Sequence, residues 1–222
     1  MSEFVVVGID LAGVPHRPTG ICFLDGWDAR TALVFADEEI LKDIDRKNPA
    51  LITVDAPLNL PPGRTSIHQK NGQHFRPCDL ELRRRHIPFF PITLGPMRCL
   101  TERGIGLKRE IEKKDIPVVE IYPGGAQDIL GLPRVKRNME KLREGLGLLG
   151  LRGLRDTCSS HELDAATAAL VGLLYLRGEA EVYGDFSSGA IVMPRPLSGS
   201  AKNTSSLKGI HPTGNKRGRS SS

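Results

Sequence analysis

Two stretches decide the fold: "FVVVGIDLAG" at residues 4–13 and "LITVDAPLNL" at residues 51–60. In each, a run of β-branched and apolar residues ends in an aspartate, Asp10 or Asp55, with no Lys or Arg within two positions. Such runs predict buried strands. A carboxylate in an apolar environment is costly unless it is hydrogen-bonded, paired or bound to a metal, so its appearance at two strand ends calls for a partner.

The surrounding sequence predicts how these two strands are connected. Residues 3–10, 19–25 and 31–36 are expected to form an antiparallel meander, residues 37–48 a helix, and residues 50–55 a strand. A strand that follows a helical crossover lies parallel to the first one. Asp10 and Asp55 are therefore expected at the same edge of an α/β sheet.

Further acids occur in the second half of the chain. Glu120 is embedded in the fifth predicted strand, residues 116–123. Asp164 lies on an alanine-rich helix predicted over residues 159–178, where it shares a face with His161. Ser159 followed by Glu162 predicts a capping box at the start of that helix. The expected core is a mixed five-stranded sheet flanked by helices, with residues 190–194 as a further strand at its edge.

Four embedded acids without matching lysines would repel one another, and a divalent cation resolves that repulsion. The acids are Asp10, Asp55, Glu120 and Asp164. Ligand sets made only of oxygen suit Mg²⁺ or Mn²⁺. The alternative for any single acid is a structural carboxylate that accepts hydrogen bonds from backbone amides. The pattern as a whole favours a metal site, with His161 either a proton carrier or an exposed residue at a helix start.

Residues 56–96 interrupt the strand and helix pattern with seven prolines and many cations. This Pro-rich basic excursion is expected to cover the carboxyl end of the sheet, with a short helix near residues 79–85. Its cations are candidate contacts to a phosphate backbone, namely Arg64, Lys70, Arg76 and Arg83. Asp79 and Arg83 have the spacing of a helical ion pair. A zinc site at His68, His74 and Cys78 lacks a second ligand pair and is disfavoured.

Charge divides the chain into two regions. The protein has 222 residues, 31 of them Lys or Arg and 26 Asp or Glu, for a net charge of +5. Residues 195–222 carry six basic residues and no acid, so residues 1–194 are nearly neutral. The tail is predicted to be disordered, either simply solvated or a tether for nucleic acid. Four widely spaced cysteines and the lack of a long apolar run predict a cytoplasmic protein with reduced thiols and no membrane span.

Several motifs resemble those of a known family. "GIDLAG", "VDAPL", "RPCDLELR", "FFP", "EIYPGGAQ" and "HELDAATAAL" are similar to motifs of the domain-of-unknown-function family 429, over about residues 4–194. Members of that family are regarded as nucleases with a ribonuclease H-like fold. The first-strand motif also resembles that of RuvC-type Holliday junction resolvases.

The resemblance implies roles for the acids. Asp10, Asp55 and Asp164 would bind metal with Glu120 as a fourth ligand, and His161 would assist catalysis. The function implied is a metal-dependent nuclease acting on DNA or RNA, with two cations promoting an in-line displacement. Two alternatives stay open: a small-molecule phosphotransferase of the actin-like or sugar-kinase core, and a nucleic-acid-binding protein without catalytic activity. The oligomeric state is not predicted.

Overall fold

The computed structural model describes residues 4–197, which form a mixed β-sheet covered on both faces by helices. The strands are β1 (Val5–Asp10), β2 (Thr19–Asp25), β3 (Asp28–Val34), β4 (Leu51–Asp55), β5 (Val118–Ile121), β6 (Ala180–Asp185) and β7 (Gly189–Pro194). The helices are α1 (Asp37–Lys47), α2 (Pro77–Arg84), α3 (Gly95–Glu112), α4 (Pro123–Ile129), α5 (Met139–Leu148) and α6 (Ser160–Leu176). The five predicted strands, now β1 to β5, and the predicted helices α1, α2 and α6 occur in the predicted order.

The strand order is β3-β2-β1-β4-β5-β7-β6, so the sheet has seven strands where five were expected, with one more at the edge. β7 does not form the edge, because it pairs in parallel with β5 and in antiparallel with β6. The sequence prediction missed β6, whose residues 180–185 mix acids and a glycine with only a few apolar side chains. That composition is typical of an edge strand rather than a buried one.

The predicted relation between the two opening strands is confirmed. β1 pairs with β4 in parallel, and Asp10 lies directly beside Asp55 in the register. On its other side Asp10 pairs with Gly20 of the antiparallel strand β2. The carboxyl ends of β1 and β4 therefore carry two adjacent aspartates.

Alternation along the strands divides the core between the two faces of the sheet. Val7 and Ile9 of β1 pack in one cluster with apolar residues of α1 and α3, whereas Val6 packs in another cluster with α6. Because successive side chains in a strand point to opposite faces, Asp10 belongs to the α6 face. In β4 the same alternation separates Val54, in the α1 and α3 cluster, from Asp55.

Helix α6 lies unusually close to the sheet because glycines face it. A Cβ added at Gly8 would lie 2.1 Å from the carbonyl oxygen of Ala165, and one at Gly20 would lie 2.0 Å from that of His161. Neither position can accept even alanine without moving the helix. The capping box predicted at Ser159 is present, with Glu162 as its partner, and fixes the first turn of α6. The turn that carries His161 is thus held against the ends of β1 and β2.

Other sequence predictions concern the termini, thiols and membrane. Residues 195–197 are exposed, while the rest of the predicted disordered tail lies outside the described residues. All four cysteines are free thiols, and Cys99 alone among them is exposed. Within residues 4–197 no helix has both the length and the apolar character needed to cross a membrane.

Candidate metal centre

Three of the predicted acids converge at the carboxyl end of the sheet. Asp10 and Asp55 come from adjacent strands, and Asp164 comes from α6, one turn after His161. Nδ1 of His161 lies 2.7 Å from Oδ2 of Asp10, which ties the start of α6 to the end of β1. We define Asp10, Asp55 and Asp164 as the acidic cluster.

Burial and the neighbouring carboxylates alter the protonation of two members of the acidic cluster, Asp55 and Asp164. Burial raises the pKa of Asp55 well above its ordinary value, and the charges of Asp10, Asp164 and Glu120 raise it further. Burial, with Asp10 adding to the effect, raises the pKa of Asp164 to about 7. Without a bound cation, the repulsion between the carboxylates of the acidic cluster decreases only when they take up protons. Clustered carboxylates of this kind, with no matching set of cations, suit a positively charged ligand.

Gln127 holds Asp164 in place, a role that sequence reasoning missed. Nε2 of this fully buried residue donates to Oδ1 of Asp164 at 2.7 Å, and its Oε1 accepts from the amide of Val135 at 3.3 Å. The second contact fixes which end of the amide faces the carboxylate. Gln127 lies in α4, and nothing in the local sequence links it to a residue 37 positions away.

Glu120 requires a correction, because it does not share the face of the acidic cluster. In the register it lies beside Val54, whose side chain packs on the α1 and α3 face. Both of its oxygens accept from the Arg76 guanidinium, at 2.6 and 2.8 Å, and one also accepts from the amide of Leu58 at 2.8 Å. Glu120 is therefore fully engaged as a structural acceptor, and the arrangement does not favour a fourth metal ligand.

The prediction that Arg76 contacts a substrate also requires a correction. It is only 2% exposed, so it does not present its guanidinium to a substrate. The guanidinium also donates to both oxygens of Asp79, at 2.8 and 3.1 Å, so it bridges two buried acids. Although burial works in the opposite direction, Glu120 and Asp79 raise its pKa. Asp79 is thus paired with Arg76. The helical spacing had instead predicted an ion pair between Asp79 and Arg83.

The other predicted substrate cations lie at the surface of the excursion. The Arg64 side chain donates to the carbonyls of Ile67, Gln69 and Gln73, which organises its own loop. Arg83 is exposed, with its guanidinium carbon 6.0 Å from the centre of the Phe75 ring. Lys70 is exposed and makes no polar contact within residues 4–197. The disfavoured zinc set is not assembled, since His68 contacts Glu102, His74 contacts Thr93 and Cys78 is buried.

A cavity of about 190 Å³ adjoins Asp55 on the side of the excursion. Its floor contains the ion-paired Arg76, Asp79 and Glu120, and its walls are mostly apolar and aromatic: Phe89, Phe90, Ile92, Met97, Leu100 and Tyr122. Phe90 is 72% exposed, although it lies beside this cavity. Phe89, Phe90 and Ile92 of the excursion thus contribute part of an apolar wall beside Asp55.

The acidic cluster fits a divalent cation by chemistry and charge but is not a closed ligand shell. Its donors are carboxylate oxygens, as Mg²⁺ and Mn²⁺ prefer. The side chain of Asp55 has no hydrogen-bonding partner among the residues that the structure describes. However, no group of three or more His, Cys, Asp or Glu side chains within residues 4–197 has the spacing of a metal-binding cluster. Asp10, Asp55 and Asp164 would hold the cation after adjusting their side chains.

The protonation of the cluster predicts how the stability of the metal-free protein depends on pH. The pKa of Asp164 is raised on folding to about 7, and its hydrogen bond to Asp10 raises the pKa of His161 as well. Groups with a raised folded pKa stabilise the protein at low pH and lose that contribution as pH increases through the folded value. Between pH 5 and 8, we expect the free energy of unfolding to fall by roughly 2 kcal/mol.

Urea unfolding in a chelator at several pH values measures this fall, with Asp164→Asn as the matched variant. The variant should show a smaller fall, and Mg²⁺ should restore stability to the wild type mainly at pH 8. A wild-type stability that increases from pH 5 to 8 in chelator would contradict the proposed state of the cluster.

With this geometry in view, the chain can be placed among known proteins. It is an α/β protein with a mixed sheet and a cluster of acids at the carboxyl end of its parallel strands. Residues 8–187 match the family described as "Protein of unknown function (DUF429)". The chain belongs to this family, which confirms the resemblance seen in the sequence motifs. No curated protein matches it.

Solved structures similar to the chain include Holliday junction resolvases. The chain is similar to RuvC of Thermus thermophilus in complex with a Holliday junction substrate, at 16% identity and a TM-score of 0.46, covering 84% of this chain and 99% of that one. It is also similar to the yeast mitochondrial resolvase Ydc2, at 15% identity and a TM-score of 0.38, covering 78% and 77% of the two chains. These similarities are low, so the description of the fold rests on strand order and register.

Proposed function

We propose that this protein is a metal-dependent nuclease. The observation that carries the proposal is the acidic cluster, in which aspartates of two adjacent parallel strands and of a helix meet, and in which the pKa values of Asp55 and Asp164 are raised. A protein that leaves three carboxylates to repel one another pays for it in stability unless a cation binds.

The residues of the site have distinct proposed roles. Asp10, Asp55 and Asp164 hold the metal. We further propose that they bind two cations rather than one. Bound Mg²⁺ or Mn²⁺ would stabilise negative charge on the scissile phosphate and lower the pKa of an attacking water. Gln127 orients Asp164, and His161 orients Asp10 through the 2.7 Å contact. Because the other face of the His161 side chain is partly exposed, it can also exchange a proton with solvent or substrate.

The substrate proposed is a nucleic acid strand, DNA or RNA, contacted by exposed cations of the excursion. Of the four cations that the sequence suggested, Lys70 and Arg83 are the exposed ones. We assign neither metal binding to Glu120 nor substrate contact to Arg76. Together they instead anchor the chain that follows Asp55, since Glu120 accepts from the amide of Leu58. They stabilise the loop on which one wall of the site is built.

Metal binding can be tested apart from hydrolysis. Titration of Mn²⁺ into the purified protein, followed by electron paramagnetic resonance, should show binding to the wild type. Asp55→Asn should weaken it by about tenfold or more, because a charged ligand becomes neutral. The control Asp45→Asn removes an exposed aspartate of α1 and should bind Mn²⁺ as the wild type does. Equal Mn²⁺ affinity in all three proteins would refute the proposed site.

A further inference from the structure

A second pocket lies on the excursion and is lined by cations. It has a volume of about 280 Å³ and includes Arg64, His68, Lys70, His74 and Arg98 in its wall. We call it the basic pocket. Among residues 4–197 no Asp or Glu lines it, and Glu102 lies 2.8 Å from Nε2 of the lining residue His68. Three of its residues are permanently charged, so the pocket is positive overall.

Neutral groups hold the two arginines of the basic pocket, and their charge is therefore not cancelled. Nε of Arg64 donates to the carbonyl of Gln73 at 2.5 Å and its Nη1 to that of Ile67 at 3.1 Å. Nε of Arg98 donates to the carbonyl of Thr93 at 2.8 Å. Nη1 of Arg64 also donates to the carbonyl of Gln69, so within residues 4–197 its Nη2 remains available, whereas Arg98 keeps both Nη groups available as a fork. A fixed, positively charged fork is the arrangement that binds phosphate oxygens well.

The basic pocket is separated from the acidic cluster by only one segment of chain. Ile92 and Met97 line the cavity next to Asp55, whereas their neighbours Thr93 and Arg98 line the basic pocket. The cavity next to Asp55 and the basic pocket are therefore lined by neighbouring residues of one segment, 92–98.

We infer that the basic pocket binds a backbone phosphate of the nucleic acid strand, away from the phosphate that is cleaved. The inference rests on the proposed function and adds a second phosphate contact to it. It adds Arg64 and Arg98 to the exposed cations proposed above as contacts, with Lys70 common to both sets. Lys70 is the pocket residue best suited to a test, because it makes no polar contact that its removal would disturb.

The experiment measures binding of a labelled single strand, a duplex and a four-way junction in chelator, where no metal-dependent hydrolysis occurs. Lys70→Gln and Arg98→Gln should each weaken binding to the preferred substrate by about threefold or more and lower the slope of log affinity against log salt by about 1. Lys70→Arg should retain the wild-type affinity and slope. Lys42→Gln, at an exposed lysine of α1, serves as the control and should change neither quantity.

The outcomes separate this inference from the proposed function. If Lys70→Gln and Arg98→Gln bind nucleic acid as Lys42→Gln does, the basic pocket is not a backbone contact, whatever the protein hydrolyses. If inorganic phosphate stabilises the wild type but not these variants while their nucleic-acid affinity is unchanged, the pocket takes free phosphate and the inference is wrong. If the variants lose affinity but the wild type hydrolyses nothing with Mg²⁺ or Mn²⁺, the inference holds and the nuclease proposal fails.

Discussion

Replacing Asp10 with Asn should reduce metal-dependent hydrolysis by at least about a hundredfold. Asp10 lies between the other two elements of the site, beside Asp55 in the sheet and 2.7 Å from the imidazole of His161 on α6. The variant loses a charged metal ligand and the acceptor that orients His161. Initial rates on a labelled nucleic acid strand with saturating Mg²⁺ measure the effect.

The stability of Asp10→Asn distinguishes a metal ligand from a structural acid. Removing one charge relieves repulsion on Asp55 and Asp164, whose pKa values Asp10 raises. The metal-free variant should therefore be as stable as the wild type or slightly more stable, and the stabilisation by Mg²⁺ should shrink. Asp45→Asn is the matched control and should leave the rate and the metal response unchanged. A large loss of stability in chelator, with no response of the wild type to metal, would make Asp10 a structural residue.

Replacing Arg76 with Met should destabilise the protein by about 3–5 kcal/mol. The substitution keeps an unbranched apolar side chain but leaves Glu120 and Asp79, which are 5% and 2% exposed, without their cation. Two buried carboxylates then face each other unpaired. For a chain of this size the expected decrease in melting temperature is roughly 10 °C. Thermal unfolding in chelator measures it.

Two further variants show whether the Arg76 effect comes from buried charge. Adding Glu120→Gln to Arg76→Met should recover part of the loss, since one of the unpaired charges is removed. Arg83→Met removes an exposed arginine of α2, the helix that begins directly after Arg76, and should lower the melting temperature by little. If Arg76→Met melted like the wild type and only weakened nucleic-acid binding, the role first suggested by the sequence would be right and the buried ion pair would be unimportant.

The fold was largely predictable because its signals are local. Apolar runs define β1, β2 and β4, and the crossover through α1 makes β1 and β4 parallel, which brings Asp10 and Asp55 together. The capping box at Ser159 likewise marks the start of α6 from four consecutive residues. β6 was missed because an edge strand needs little apolar sequence, and its pairing with β7 is visible only in the sheet.

The site was less predictable because its partners are distant in sequence. An acid inside a strand indicates that a partner exists but not which residue it is. Glu120 pairs with an arginine 44 residues away, whereas Asp55 has no arginine or lysine partner within residues 4–197. The alternation of side chains along the strands places Glu120 on the face opposite Asp55, since Glu120 lies next to Val54 and not next to Asp55 in the register. Arg76 was grouped with surface cations because a basic segment does not reveal which of its arginines turns inward. The contact of Gln127 with Asp164 has no sequence signal either.

The most direct test of the nuclease proposal is hydrolysis by the purified wild-type protein. Labelled single-stranded, duplex and four-way-junction substrates, in DNA and in RNA, are incubated with Mg²⁺, with Mn²⁺ or with chelator, beside Asp55→Asn. The prediction is cleavage of at least one substrate by the wild type that requires a divalent cation and is lost in Asp55→Asn. Cleavage that persists in chelator or in Asp55→Asn, or no cleavage of any substrate by a folded wild type that binds Mn²⁺, would contradict the assignment of the acidic cluster as a nuclease centre.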